Sequence, residues 1–466
     1  MARIARLNML LHKDGGSRIY FADALDKHLE PAKGLPVPDA IELEELRDSL
    51  TTGETLFSCV LSNPPFSMTY ERKKPAEWAV LKDYTLAIDG AGKPRTSLRS
   101  SVLFLERYWD LLKDDGRLVT VMDESVLNTL TSRPFREYIL EKFVLRAVVS
   151  LPRNTFVKAQ GQVKTSVLYL RKKIDPNEQQ PAIFMAIVEN VGHSDSGKER
   201  PLSNQLPHVL SRFQEFEQDG NISSAEAPLT FIVDDPLFEN PTLRLDAHYF
   251  DPRYFATMHT LDDMATDRGW KLDRLGDLLE EEKGSLAGGA TPRGAAYPDE
   301  GVKFIRVQNV RPYRLQWNVD EDVCIDTRTH TSLLARSQLE SGNVVLTITG
   351  SYGNAAVVPP DFGQANINQH SVRLKVCPTI HPEYLSVFLN SSLCRPQIER
   401  AVTGSTRPAL DYDAIRKLRI LYPEDLAEQR RVARATMDRL TEAYRLQQTA
   451  EALTGALPDL FDSAVV

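Results

Sequence analysis

This chain predicts an open, wound α/β sheet, then a mixed α+β segment and one long terminal helix. Three observations predict it. Apolar runs of strand length alternate with helical stretches from residue 57 to residue 188. Short strands punctuated by Gly, Pro and Asn turns fill residues 275–421, and residues 424–453 are amphipathic and rich in Arg, Glu, Gln and Ala.

In chain order, residues 1–12 have the mixed Arg, Leu, Ile and Met spacing of a short amphipathic helix. Lys13-Asp14-Gly15-Gly16 reads as a turn, and Arg18-Ile19-Tyr20-Phe21-Ala22 as a short strand ending at Asp23. Residues 26–54 are polar and contain proline, which predicts a surface insertion. Phe57–Leu61 reads as a buried strand leaving through Asn63-Pro64-Pro65-Phe66, and residues 67–97 as a long, partly mobile loop. Val102, Leu105, Trp109 and Leu112 recur at helical spacing. Asp114-Asp115-Gly116 ends that helix, Arg117–Met122 is the next strand, and Phe135–Glu141 is helical again. Val144–Leu151, Thr165–Arg171 and Ile183–Val188 are further strands. Leu243–Phe250 is an aromatic connector, followed by a helix to about Arg268. These features divide the chain into residues 1–240, 241–423 and 424–466.

A chain of 466 residues exceeds one ordinary core. Its 42% hydrophobic and 26% charged content is that of a soluble globular protein, and no apolar run reaches the ~20 residues of a membrane span. Cys59, Cys324, Cys377 and Cys394 lie far apart, outside any zinc-ligand spacing, so no metal site is expected and a cytoplasmic location fits. The net charge of −8 argues mildly against a nonspecific nucleic-acid coat, yet only the local field at a cleft must be positive for DNA binding.

Asn63-Pro64-Pro65-Phe66 is the most informative segment. An adenine amino nitrogen is a poor nucleophile because its lone pair is delocalised into the ring. Two acceptors holding its hydrogens out of plane concentrate that lone pair, and the Asn63 side-chain oxygen and Pro64 carbonyl are the candidates. Pro64 and Pro65 preset the carbonyl direction at little entropic cost, and Phe66 offers a face for an extruded base. The bend follows a strand, where open α/β sheets place ligands. A merely rigid turn after a strand is the structural alternative.

On these residues the first part resembles the modification subunits of type I restriction-modification systems, which are adenine-N6 DNA methyltransferases with a Rossmann-like sheet. Ala2–His12 resembles the helix after their cofactor loop, and Tyr20–Leu25 the strand whose carboxylate, here Asp23, meets the cofactor's adenine. Asn63–Phe66 matches their catalytic motif, Phe104–Leu127 their next helix and strand, and Val148–Phe156 and Val163–Lys172 their closing strands. The resemblance implies S-adenosylmethionine as cofactor. Two features depart from it. The family's Asp-Pro-x-Cys-Gly loop and the acidic residue after its second strand have no counterpart before residue 57, and Ser58 replaces an acidic residue at the start of the catalytic strand. The Gly-containing segments Asp89–Gly92 and Ile348–Gly353 lack the strand–loop–helix context of a nucleotide loop. A split enzyme, completed by a partner with the missing loop, or a truncated product is therefore expected.

Residues 270–425 resemble the target-recognition domain of type I specificity subunits, through Trp270–Asp277, Gly288–Pro292, Phe304–Val310, Asn343–Ser351, Asn366–His370 and Gly404–Pro408. Arg306, Gln308, Asn309, Ser351, Tyr352, Asn368, Gln369 and His370 supply donors and acceptors suited to base edges, and Arg407 suits a phosphate. For each residue singly, closing a turn is the more ordinary role. The terminal helix resembles their spacer helices.

The leading expectation is a fused modification and specificity protein acting on double-stranded DNA. Its partners would be a second methyltransferase polypeptide or a second copy of the chain, and a restriction subunit for cleavage, since residues 1–240 hold no Pro-Asp…Glu-x-Lys nuclease pattern. The alternative is a catalytically inactive DNA-binding subunit. Methylation of a protein or RNA amino group shares the Asn63 chemistry.

Overall fold

In a computed structural model the chain divides into two compact units, Met1–Phe250 and Asp251–Val466. The structure describes residues 2–455 except 15, 32–33, 54–55, 67, 160–162, 224–228, 235–239, 241, 293–296, 319–320 and 406.

The apolar runs of the first unit pair into one mixed sheet. Helices α1 (Ala2–Leu11) and α2 (Val37–Thr52) precede β1 (Phe57–Ser62), and the hairpin of β2 (Thr69–Glu71) and β3 (Ser97–Arg99) encloses α3 (Pro75–Leu81). There follow α4 (Ser100–Leu111), β4 (Leu112–Asp123), α5 (Glu124–Asn128), α6 (Arg133–Lys142), β5 (Phe143–Ser150), β6 (Thr165–Lys172), β7 (Ile183–Ile187), α7 (Leu206–Asp219) and β8 (Leu229–Val233). Strand order is β1-β4-β6-β5-β7-β8. A connection containing α3 and α4 joins the parallel pair β1·β4, the chain passes from β5 to its parallel partner β7 through β6, and β6 runs antiparallel to both its neighbours. The sheet is α/β, as the alternating pattern predicts. Its central strands are buried on both faces: β5 and β7 expose almost nothing, which is why they read as continuous apolar runs.

Four expectations need correction. Residues 18–22 form no strand, because they pair with no ladder partner. Residues 26–54 contain α2, closed by Gly53 at positive φ, so the supposed insertion is largely helical. Residues 67–97 are not a loose loop. Tyr70, Leu81, Tyr84 and Leu86 are buried in the main core, and Glu106 on α4 binds the Thr85 and Leu86 amides. Finally, β1 forms but is not buried: Leu61 is 82% and Phe57 41% exposed. Among the described residues only β4 pairs with it, so its other edge stays open.

Arg136 of α6 is fully buried and donates to the carbonyls of Val126, Thr129, Thr242 and Leu243. Burial pulls its pKa down to about 10. One side chain thus ties the aromatic connector to α5 and α6.

The second unit begins with α8 (Pro252–Arg268) and β9 (Lys271–Arg274), then β10 (Leu286–Gly288), β11 (Val302–Ile305), β12 (Val310–Arg311), β13 (Arg314–Leu315), β14 (Cys324–Ile325) and β15 (Gln338–Leu339). It continues through β16 (Val344–Thr347), β17 (Ala355–Val357), β18 (Ala365–Ile367) and β19 (Ser371–Leu374). Helices α9 (Pro382–Leu389), α10 (Arg395–Ala401) and α11 (Tyr412–Lys417), strand β20 (Arg419–Tyr422) and the long α12 (Leu426–Gly455) complete it. Two four-stranded sheets, β10-β19-β16-β17 and β14-β11-β18-β15, carry its cores.

Candidate active site and nucleic-acid interface

The diproline bend leaves the carboxyl end of β1, where Ser62 is in register with Thr120 of β4. Two bonds from α4 hold it there. Tyr108 donates to the Ser62 hydroxyl at 2.5 Å, and Ser100 Oγ donates to the Pro65 carbonyl at 2.8 Å. Pro64 is buried, Asn63 and Pro65 are exposed, and Phe66 is half-buried. The Asn63 side chain and the Pro64 carbonyl have no hydrogen-bond partner among the described residues. The committed carbonyl is that of Pro65, so Asn63 Oδ1 and the Pro64 carbonyl remain available as acceptors. An exposed amide oxygen on an anchored backbone can accept such a group without first breaking an internal bond.

A second aromatic ring reaches this bend. Phe156, in the turn after β5, lies 5.8 Å from Phe66 centroid to centroid at a tilt of 53°. Sequence reading placed Phe156 at the end of a strand and did not assign it. The signal was present, since an aromatic in a loop following a sheet strand tends to serve a site rather than a core. Ser100 and Tyr108 were also missed, because nothing in a sequence says which hydroxyl will face a bend tens of residues away.

Asp23 is exposed and already engaged. Its carboxylate accepts from the Leu25 amide at 3.0 Å and from the Tyr70 hydroxyl at 2.9 Å. Burial first, and the Asp23 carboxylate second, raise the Tyr70 pKa, which keeps that phenol a donor. Asp23 therefore anchors its turn to β2, just beyond the bend. Beside β1 the sheet edge is open among the described residues, and Asp23 brings one carboxylate with two partners. Among the described residues there is also no group of His, Cys, Asp or Glu able to hold a metal ion.

In the second unit, the singled-out residues gather at one end of the two sheets. The Ile348 amide donates to the His370 carbonyl at 2.9 Å, the Asn368 amide to Ile305 at 3.0 Å, and the Gly350 amide to Pro408 at 3.4 Å. Gly289 permits this convergence, because a Cβ there would collide with the Ile367 and Asn368 carbonyls. The residues differ in freedom. Asn309 is buried between the Arg306 amide and the Gln316 carbonyl, and Asn368 is buried and accepts from the His370 amide. In both, the side-chain oxygen is engaged in closing a turn. Arg306 faces Asp322 at 3.5 Å. Gln308, Ser351 and Arg407 are exposed, and Tyr352 is half-buried against Arg395. Gln369 contacts Thr291 and lies 3.0 Å from His370. Burial first, and the charge of Arg407 second, hold His370 below its usual range, so it is neutral at physiological pH.

A model of the N-6 DNA methylase family matches residues 1–233, the span that holds the sheet and the diproline bend. The chain belongs to the N-6 DNA methylase family. No curated protein matches it. Among solved structures, it is similar to a type I methyltransferase subunit from Streptococcus thermophilus, at 18% identity over 52% of this chain and 44% of that one, with a TM-score of 0.34. A modification subunit of a type I restriction enzyme from Vibrio vulnificus YJ016 is 16% identical over 50% and 41% of the two chains, with a TM-score of 0.33. An HsdS subunit from Thermoanaerobacter tengcongensis is 16% identical over 43% and 46%, with a TM-score of 0.27. The chain thus spans under half the length of these three structures. No helix among the described residues is long and apolar enough to cross a membrane.

Proposed function

We propose that this chain is a site-specific adenine-N6 DNA methyltransferase subunit of a restriction-modification or phage-defence system, with its own recognition domain. The observation that carries this reading is the pair of unengaged acceptors on an anchored bend, Asn63 Oδ1 and the Pro64 carbonyl, beside Phe66 and Phe156. The flipped adenine stacks on the two rings, its amino hydrogens are held by the two acceptors, and its nitrogen lone pair is directed at the methyl donor. S-adenosylmethionine supplies that methyl group when bound, with Asp23 as this chain's contribution to its site. The residues from 241 to 423 read the target, with Gln308, Ser351, Gln369 and His370 toward base edges and Arg306, Tyr352 and Arg407 toward the backbone. Residues 424–466 act as a spacer.

The open edge of β1 supports completion by a second polypeptide. Unpaired backbone groups on an apolar, uncharged strand template another strand, and Phe57, Cys59 and Leu61 are exposed beside them. The occupied carboxylate of Asp23 equally favours a second reading, in which the isolated chain binds DNA and is catalytically silent. Methyl transfer by the chain with its co-encoded fragments, measured by mass spectrometry of adenine, decides between them. Asn63→Ala should lower transfer at least about a hundredfold, as loss of an activating acceptor does, while DNA affinity stays within about twofold. Full activity in that variant overturns the assignment of Asn63.

A further inference from the structure

Three residues after Phe66 the chain enters a separate cavity of about 630 Å³, lined by the β2–β3 hairpin, the segment before it and the turn joining α5 to α6. Its walls carry two guanidinium groups, Arg95 and Arg99, and the hydroxyls of Thr69, Thr96, Ser125 and Thr131. Each arginine is fixed at one side. Arg99 Nη1 donates to the buried Asp123 carboxylate at 2.5 Å and to Ser125 Oγ at 3.0 Å. Arg95 Nε donates to the Leu86 carbonyl at 3.1 Å, and its guanidinium lies 5.3 Å from the Phe135 ring centre. The remaining N–H donors of both have no partner among the described residues. One carboxylate, Asp89, also lines the cavity, and its Oδ1 accepts from the Ala91 and Lys93 amides at 2.9 and 2.8 Å.

Two preoriented guanidinium forks, with the Thr69 and Thr96 hydroxyls and a single partly engaged carboxylate beside them, favour an oxyanion. The volume exceeds that of a lone anion and suits a nucleotide-sized fragment. The cavity is also coupled to the bend: Thr69 pairs with Arg99 across the hairpin, and the adjoining Ser100 holds the Pro65 carbonyl. We propose that this cavity seats the DNA phosphodiester next to the extruded adenine, Arg95 and Arg99 clamping its oxygens. Such a clamp holds the strand in register while the base turns into the site, and it carries no sequence information. This inference rests on the reading of the chain as a DNA methyltransferase.

Arg99 stays unchanged in the test, because removing it would strand the buried Asp123. Arg95→Gln removes one cation, and Thr96→Glu places a carboxylate on an exposed wall position whose side chain has no partner among the described residues. Duplex binding by the full chain is followed by fluorescence anisotropy across a salt series. Arg95→Gln should weaken binding roughly tenfold for target and non-target duplexes alike and lower the log–log salt slope by about one. Thr96→Glu should weaken both uniformly. Unaltered affinity and slope in both cavity variants overturn the clamp and leave the Asn63 chemistry standing. If Arg95→Gln keeps the slope but abolishes S-adenosylmethionine binding by calorimetry, the cavity serves the cofactor and the proposal falls. Failure of the unaltered chain to bind any duplex overturns the clamp and the DNA reading together.

Discussion

Asn63 and Pro64 show how differently adjacent residues are used. Pro64 is buried and fixes direction; Asn63 is exposed and keeps its oxygen free. Glu106 is the reverse kind of residue, polar but wholly committed. At 4% exposure it accepts from Lys27 Nζ at 2.7 Å, from the Thr85 amide and hydroxyl, and from the Leu86 amide. Burial pushes its pKa up, but the Lys27 bond and the two amides outweigh that and hold it below the usual carboxylate range. A carboxylate with a depressed folded pKa contributes stability above its unfolded value, here 4.5, and loses it as pH falls through the folded value. Glu106→Gln should therefore lower the stability of the first unit by roughly 3 kcal/mol at neutral pH. Thermal melts should show the gap to the unaltered chain closing only below pH 4.5. A gap unchanged in acid would show that the ionised form of Glu106 contributes nothing.

At the scale of elements, β1 and α6 make opposite predictions. The apolar edge of β1 is where a partner strand is proposed to add, so Leu61→Asp should weaken capture of that partner by at least about tenfold, like any charge placed in a strand interface. Folding of the chain itself should be untouched, because Leu61 is already exposed. Pull-down with the co-encoded fragment checks this, and undiminished capture counts against the edge. Arg136→Leu on α6 should instead destabilise the fold by roughly 3 kcal/mol, since it leaves buried carbonyls without donors. Denaturant titration of the first unit's transition reads that loss. The segment from Thr69 to Arg99 belongs to this scale too. Its Lys, Pro and Gly content suggested a mobile loop, yet Tyr70, Tyr84 and Leu98 pack into the core. Composition misleads there because a few well-spaced apolar residues suffice once a helix such as α4 supplies the other wall.

For the whole molecule, each unit has its own core, and the family match falls in the first. Chemistry and reading are thus proposed to be separable. Arg407→Ala, outside the first unit, should reduce duplex affinity several-fold on every sequence while leaving the Asn63-dependent step per bound duplex unchanged. Single-turnover kinetics at saturating DNA tests that separation, and a slower chemical step would join the two functions. What the sequence determined alone is local. Apolar runs and period-3.6 spacing set the strands from β4 to β7, the helices α1, α4 and α8 and the terminal helix, and Pro64 and Pro65 define the backbone direction of the Asn-Pro-Pro-Phe bend without help. What only the tertiary structure decided is which polar groups stay free. Asn309 and Asn368 resemble base-reading residues in sequence but have their side-chain oxygens engaged inside turns, Asp23 is held by Tyr70, and Phe156 and Ser100 meet the bend from distant segments. Hydrogen-bond availability depends on every neighbour in space, and a sequence specifies those neighbours only through the fold.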